Sequence, residues 1–346
     1  MDPLTHGLTS LALARVGQKR LPRYGTAMLV VSGVAADLDY ASYFGGPAMF
    51  IRFHRTLLHS ILGSALVAGA IATAFFALAK IRGRTSEVAS PSSTPREFTF
   101  GVALFICAIG AASHILLDLV SGIGVQLFWP FRAGWQSWDL LTNLDPWILG
   151  LLLFALLLPE LFRLVSEEIG EQKGGSRGRG AAIVALAMLV LYIGARADLH
   201  SKAISLLTSR EYHGKPPLAA GAFPLASTPF GWRGVVSTDA TVDELEVSLF
   251  PGAAFDPDRS FTRYKPDPSA ALEAGQRTQA AETFLPYAVI PFAGVNSIEE
   301  GYRFELRDLR FASNDASPEN IIARVDFDSD LQIRLEELRY ASSKAP

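Results

Sequence analysis

Up to about residue 200 the apolar positions form long unbroken runs; beyond it they alternate with polar positions in short stretches. Leu57 to Ile81, Phe98 to Val120, Trp147 to Val165 and Ala181 to Leu199 are each near the roughly 20 apolar residues that carry a helix across a bilayer. Tyr24 to Tyr43 is a further run, with Asp37 and Asp39 near its end. Leu4 to Val16 is shorter and is broken by Thr5, His6, Thr9, Ser10 and Arg15, so it either enters the bilayer part-way or lies along its surface. The pattern predicts an all-α polytopic membrane bundle over residues 1–200, with about five or six spans.

The runs are separated by a short basic turn at Lys19 to Arg23, a Gly45-Gly46-Pro47 turn, a Ser/Pro-rich loop over Thr85 to Pro95, a Gly- and Trp-rich loop over Ser121 to Pro146, and a polar, glycine-rich stretch over Glu167 to Gly180. Asp198 to Arg210 reads as a continuing helix. Pro216, Pro217, Pro224 and Pro229 then mark a linker. Phe230 to Val236, Leu245 to Phe250, Tyr302 to Arg310, Ile321 to Phe327 and Gln332 to Leu335 read as strands, and Ala270 to Leu285 as helix. Residues 201–346 therefore suggest a small soluble α+β domain with a mainly antiparallel sheet.

Composition agrees with this division. The chain has 346 residues, 49% hydrophobic and 19% charged, as a membrane protein with a soluble part would. A net charge of −3 gives no electrostatic reason to expect nucleic acid as a partner. The single cysteine, Cys107, lies inside an apolar run and reads as a packing residue. No cleavable signal peptide or lipidation motif is evident. Lys19, Arg20, Arg23, Lys80, Arg82, Arg84, Arg96, Arg163, Lys173, Arg177 and Arg179 fall on alternate connections, against only Arg52, Arg55 and Arg132 on the others. The positive-inside rule places the first set in the cytoplasm and the C-terminal domain outside it. Trp129, Trp135, Trp138 and Trp147 then gather on the outer side as an interfacial aromatic belt.

With that orientation, the ionisable residues of the spans collect at one level. His114 and Asp118 are one helical turn apart near the outer end of their run. Asp37 and Asp39 end another run, and His54 and His59 precede the next. His6 reaches a similar depth if the first two runs form a hairpin. Ionisable groups in apolar spans are costly and need partners. Two readings follow. A His/Asp set without cysteine suits zinc, or manganese or iron, and a two-metal arrangement would activate water for phosphoester hydrolysis. Alternatively, the same groups form a buried polar network that only ties helices together. Asp37 or Asp39 would serve as a general base if not a ligand, and Arg55, with Arg52 beside it, would hold a phosphate.

Asp2-Pro3-Leu4-Thr5-His6-Gly7, Asp37-Leu38-Asp39, His54-Arg55-Thr56-Leu57-Leu58-His59-Ser60 and Ser113-His114 with Asp118 resemble, in that order, the motifs of the YdjM-type inner-membrane metal-dependent hydrolases. The motif order is also distantly similar to zinc-dependent phospholipase C and P1 nuclease. The resemblance implies a multi-pass inner-membrane hydrolase of phosphoesters, on a lipid or a small molecule. It implies that one ion takes Asp37 or Asp39, His54 or His59, His114 and Asp118, and that a second shares Asp118 with His6. A third would need Asp139 or Asp145, because no histidine follows Asp118 until His200. Met1 ahead of Asp2 would place a terminal amine several residues from His6. A non-enzymatic membrane scaffold or regulator is the competing function, and ion transport through the polar cluster a third. His200 and His213 read as ordinary surface or interfacial histidines. Asp326, Asp328 and Asp330 have calcium-loop spacing, but Leu331 stands where the loop needs glycine, so they read as strand-end carboxylates. Asp256 and Asp258 read as turn residues.

Overall fold

A computed structural model describes residues 1–82, 98–168, 178–253, 255–312, 315 and 317–341. Arg84, Arg96, Lys173, Arg177 and the Ser/Pro-rich loop 85–95 lie outside the described residues, as does 169–177 of the glycine-rich stretch. The chain divides into two compact units. The first comprises Met1–Leu38 and Arg55–Ala197, and the second Asp39–His54 and Asp198–Pro346.

The first unit is helical. Helix α1 (Pro3–Gly17) starts where Asp2 accepts the Thr5 N–H and Pro3 needs no hydrogen bond of its own. Helix α2 (Gly25–Val34) gives way at Ala35 to 3-10 turns over Ala35–Gly45. The apolar run 24–43 is thus not one helix, and Asp37 stands in a tighter turn just past the end of α2. Helix α4 (Ile61–Ile81) is capped by the Ser60 hydroxyl and α5 (Phe100–Val120) by that of Thr99. Helices α6 (Pro146–Glu168) and α7 (Arg179–Thr208) follow.

Among the described residues, α4, α5 and α7 are long and apolar enough to cross a membrane. Helices α1 and α2, with 15 and 10 residues, are too short to count among them, and in α6 the described apolar stretch is Pro146–Phe162. The spans are apolar all round, yet only 22% of the apolar window is buried in α4 and α7, against 39% in α5. The unburied faces, with Leu66, Phe105, Val190 and Leu191, are of the kind that lipid covers, and α5 is the innermost of the three.

Close approach of α2 to α5 depends on Gly110, and that of α2 to α1 on Gly33. A Cβ on Gly110 would lie 2.6 Å from the Leu29 carbonyl oxygen and 3.1 Å from the Gly33 nitrogen. One on Gly33 would run into the Ser10 hydroxyl of α1. Small residues at such crossings let membrane helices pack backbone to backbone. The 121–145 connection doubles back over itself, with Gly122 N–H bonded to Leu141 O and Val125 paired with Gln136. It also binds the segment before α4, through Gln126 N–H to Arg55 O and Ile61 N–H to Leu127 O.

The second unit is α+β. Strands β1 (Ala219–Pro224), β2 (Gly231–Ser237), β3 (Thr241–Ser248) and β4 (Phe261–Tyr264) form one antiparallel sheet in chain order. Strands β5 (Pro291–Ile298), β6 (Gly301–Asp308), β7 (Ile321–Asp328) and β8 (Ile333–Tyr340) form another. Short helices α8 (Ala270–Gln276) and α9 (Gln279–Phe284) lie between them in the chain. Trp232, Phe284, Phe304 and Phe327 are fully buried. The C-terminal turns of α7 bring Ala203 and Leu207 against Trp232, Val236 and Leu245. The segment Asp39–His54, with the short helix α3 (Pro47–Phe53), belongs to this unit. Asp326 is gripped by Arg303 at 2.8 and 3.0 Å and by Arg324 at 3.1 and 2.6 Å, and Asp328 turns the chain into β8, so these acids serve a hairpin.

Candidate metal centre

The site is built outward from α5. His114 and Asp118 stand one turn apart and are buried, 1% and 0% exposed. His114 Nδ1 lies 2.9 Å from the Gly33 carbonyl oxygen. A carbonyl only accepts, so Nδ1 carries the proton and Nε2 presents a lone pair. Gly110 makes this bond possible, because a close α2–α5 contact brings the Gly33 carbonyl within reach.

His114 Nε2 points at other acceptors. It lies 3.1 Å from Asp118 Oδ2, 3.0 Å from His59 Nε2 and 3.9 Å from Asp37 Oδ1. His59 Nε2 is 3.2 Å from the same Asp118 oxygen and 3.9 Å from the same Asp37 oxygen. His6 stacks on the His114 ring at 3.8 Å, with its Nε2 3.4 Å from Asp118 Oδ1. His6 is 1% exposed, and neither of its ring nitrogens makes a hydrogen bond; nor does Asp118 Oδ2. Two groups of donors result, Asp37 with His59 and His114, and His6 with His114 and Asp118.

This geometry fits a metal ion. Lone pairs packed at 3.0–3.9 Å repel unless a proton or a cation lies among them. Ligand atoms about 2.0–2.1 Å from a tetrahedral ion lie roughly 3.3–3.4 Å from one another, which falls within the observed range. Two imidazoles and two carboxylates with no sulfur form a donor set for zinc, manganese or iron. The Gly33 carbonyl on His114 Nδ1 is the outer partner that a ligating histidine needs.

The other Asp118 oxygen is held by protein cations. Arg55 Nη1 lies 3.1 Å from Asp118 Oδ1, and the Met1 amino group bonds the same oxygen, so the N-terminal residue does come to the site. Arg55 is 0% exposed and donates also to Ser121 Oγ, Gly124 O, Met1 O and Asn143 Oδ1, at 2.9–3.4 Å. Its φ of 56° is a left-handed conformation that a non-glycine residue rarely adopts. The guanidinium is thus bonded to acceptors of the protein itself, which defines it as a buried partner of Asp118. Arg52 stacks on Phe53 and is not among these groups.

The remaining candidate residues have other partners. Asp39 and His54 belong to the second unit and bond each other, Oδ1 to Nδ1 at 2.9 Å. His54 Nε2 is 3.5 Å from Glu319 Oε1, a residue that no sequence motif marks. Asp145 caps α6 by accepting the Trp147 and Ile148 N–H groups, and Asp139 accepts the Ser137 hydroxyl. His200 lies against Trp232. His213 bonds Asp243, which also accepts from Thr241, Ser260 and Thr262. Burial alone would raise the Asp243 carboxyl; hydrogen bonds from Thr262, His213, Thr241 and Ser260 outweigh it and hold the carboxyl below its usual range.

Comparison with known proteins places the helical part of the chain. A family model described as YdjM inner membrane protein matches residues 1–202. No curated protein and no solved structure matches the chain.

Proposed function

Because the chain belongs to the YdjM inner membrane protein family, we propose that it is a metal-dependent hydrolase working within the membrane, with phosphoesters of lipids or small molecules as its substrates. The observation that carries this reading is the convergence of His59 Nε2, His114 Nε2, Asp118 Oδ2 and Asp37 Oδ1 within 3.9 Å of one another's nearest neighbours, in a buried site. Those four residues hold the ion, zinc by donor set, and His6 with His114 and Asp118 provides the second group of donors. An ion bound there supplies a Lewis acid that activates water at neutral pH and withdraws charge from a phosphoryl oxygen.

The chain's own residues do the rest. Gly33 holds the His114 tautomer. Arg55 fixes Asp118 through Oδ1 and leaves Oδ2 turned toward the histidines. Burial of all these groups limits access of bulk water and strengthens their electrostatics. The asymmetry of Lys and Arg between alternate connections supports a site at the outer face of the membrane and a C-terminal domain outside the cytoplasm. The apolar runs of α1, α2 and α6 support further membrane-embedded segments beside the three long spans.

The Arg55–Asp118 ion pair favours one competing reading, a polar network that locks the helices of a non-enzymatic scaffold. Assay of the purified protein on phospholipid and nucleotide esters, wild type against His114→Ala, separates the two. Hydrolysis that depends on added metal and is lost in the variant supports the hydrolase. Equal background with both proteins, whatever metal is supplied, contradicts it.

A further inference from the structure

The family match ends at residue 202, yet two motif residues inside it, Asp39 and His54, fold with the C-terminal unit. The chain crosses from the first unit to the second between Leu38 and Asp39 and returns between His54 and Arg55. The first crossing directly follows Asp37. The second directly precedes Arg55, four residues before His59.

His54 is enclosed by this unit. Its ring stacks on Phe50 at 4.3 Å and 21°, and Tyr40 packs against it at 4.3 Å. Asp39 Oδ1 lies 2.9 Å from Nδ1, and Glu319 Oε1 lies 3.5 Å from Nε2. Both ring nitrogens therefore face a carboxylate. Glu319 is fully buried and is itself held: the Tyr40 hydroxyl donates to Oε1 at 3.0 Å, and the Tyr287 hydroxyl to the Glu319 carbonyl at 2.5 Å. The turn that carries it is tied down by Asn320, whose side chain donates to the Ala312 and Asp315 carbonyls. A buried carboxylate on a rigid turn is costly unless it has such partners, and the partners here are residues of the 39–54 segment.

We propose that Glu319 is a clamp: through His54 and Tyr40 it fastens the 39–54 segment to the C-terminal part of its own unit. The clamp gives the C-terminal domain a defined task, to hold in place a stretch of the membrane domain's own sequence.

Full-length protein in detergent or nanodiscs tests it, with Glu319→Gln and Tyr40→Phe as nearly isosteric variants. The readout is amide hydrogen exchange over residues 39–54. Exchange there should quicken in both variants while β2 and β7 keep their protection. Unchanged exchange over 39–54 in both overturns the clamp.

Discussion

Replacing Gly110 by alanine perturbs the centre without touching any proposed ligand. The added Cβ would sit 2.6 Å from the Leu29 carbonyl, a backbone atom that cannot rotate away. Restoring ordinary contact near 3.4 Å requires α5 and α2 to separate locally by about 0.8 Å. His114 is one turn along α5 from Gly110, and its Nδ1 hydrogen bond to Gly33 starts at 2.9 Å. The same displacement would stretch that bond to about 3.7 Å, beyond hydrogen-bonding range. Overpacking of this kind costs about 1–3 kcal/mol of stability. Loss of the histidine's outer partner costs about 10–100-fold in metal affinity. The assay is zinc affinity by competition with a chelating dye, beside thermal unfolding of the same samples. Gly69→Ala in α4 is the control: its Cβ meets nothing within 4 Å, and alanine should gain up to about 1 kcal/mol over glycine in a helix. Wild-type zinc affinity in Gly110→Ala would refute the link from helix packing through Gly33 to His114.

Two further outcomes follow from buried charge. Arg55→Met leaves Asp118 without its arginine and should cost metal-free protein about 3–5 kcal/mol, read as a lower melting temperature; unchanged melting with a raised KM would make Arg55 a substrate-binding arginine instead. Asp243, whose carboxyl is held low in the folded domain, contributes stability above the unfolded-state pKa of about 3.9 that is lost as pH falls through the folded value. Protection of β3 and β4 amides, referred to the intrinsic exchange rate at each pH, should therefore fall below about pH 4, and Thr262→Val, by raising the folded value, should make that fall smaller and end it at higher pH; an equal fall in the variant would count against the hydrogen-bond account.

Much of the helical part was legible because its cues are local. The run ending in His114 and Asp118 forms α5 within two residues of its apolar limits, since length and hydropathy alone decide such a segment. His6, Asp37, His59, His114 and Asp118 each stood at a helix end or in a motif, and the structure brings them together. Other features were not local. The 3-10 turns at Ala35–Gly45 interrupt a run that hydropathy reads as continuous. Asp39 and His54 belong to the same motifs as the site residues, yet their partner Glu319 lies far along the chain in a turn with no periodicity to announce it. The tail's alternating stretches revealed strands but not their division into two sheets, because strand pairing depends on partners that alternation does not name.

The central claim is that the buried histidines and aspartates around Asp118 hold an ion. Elemental analysis of the purified, detergent-extracted protein tests it most directly, with wild type compared to His114→Ala and Asp118→Asn after identical handling. The account predicts stoichiometric zinc, manganese or iron in the wild type and its loss from both variants. Wild-type protein that carries no such metal and takes none up on reconstitution would contradict it.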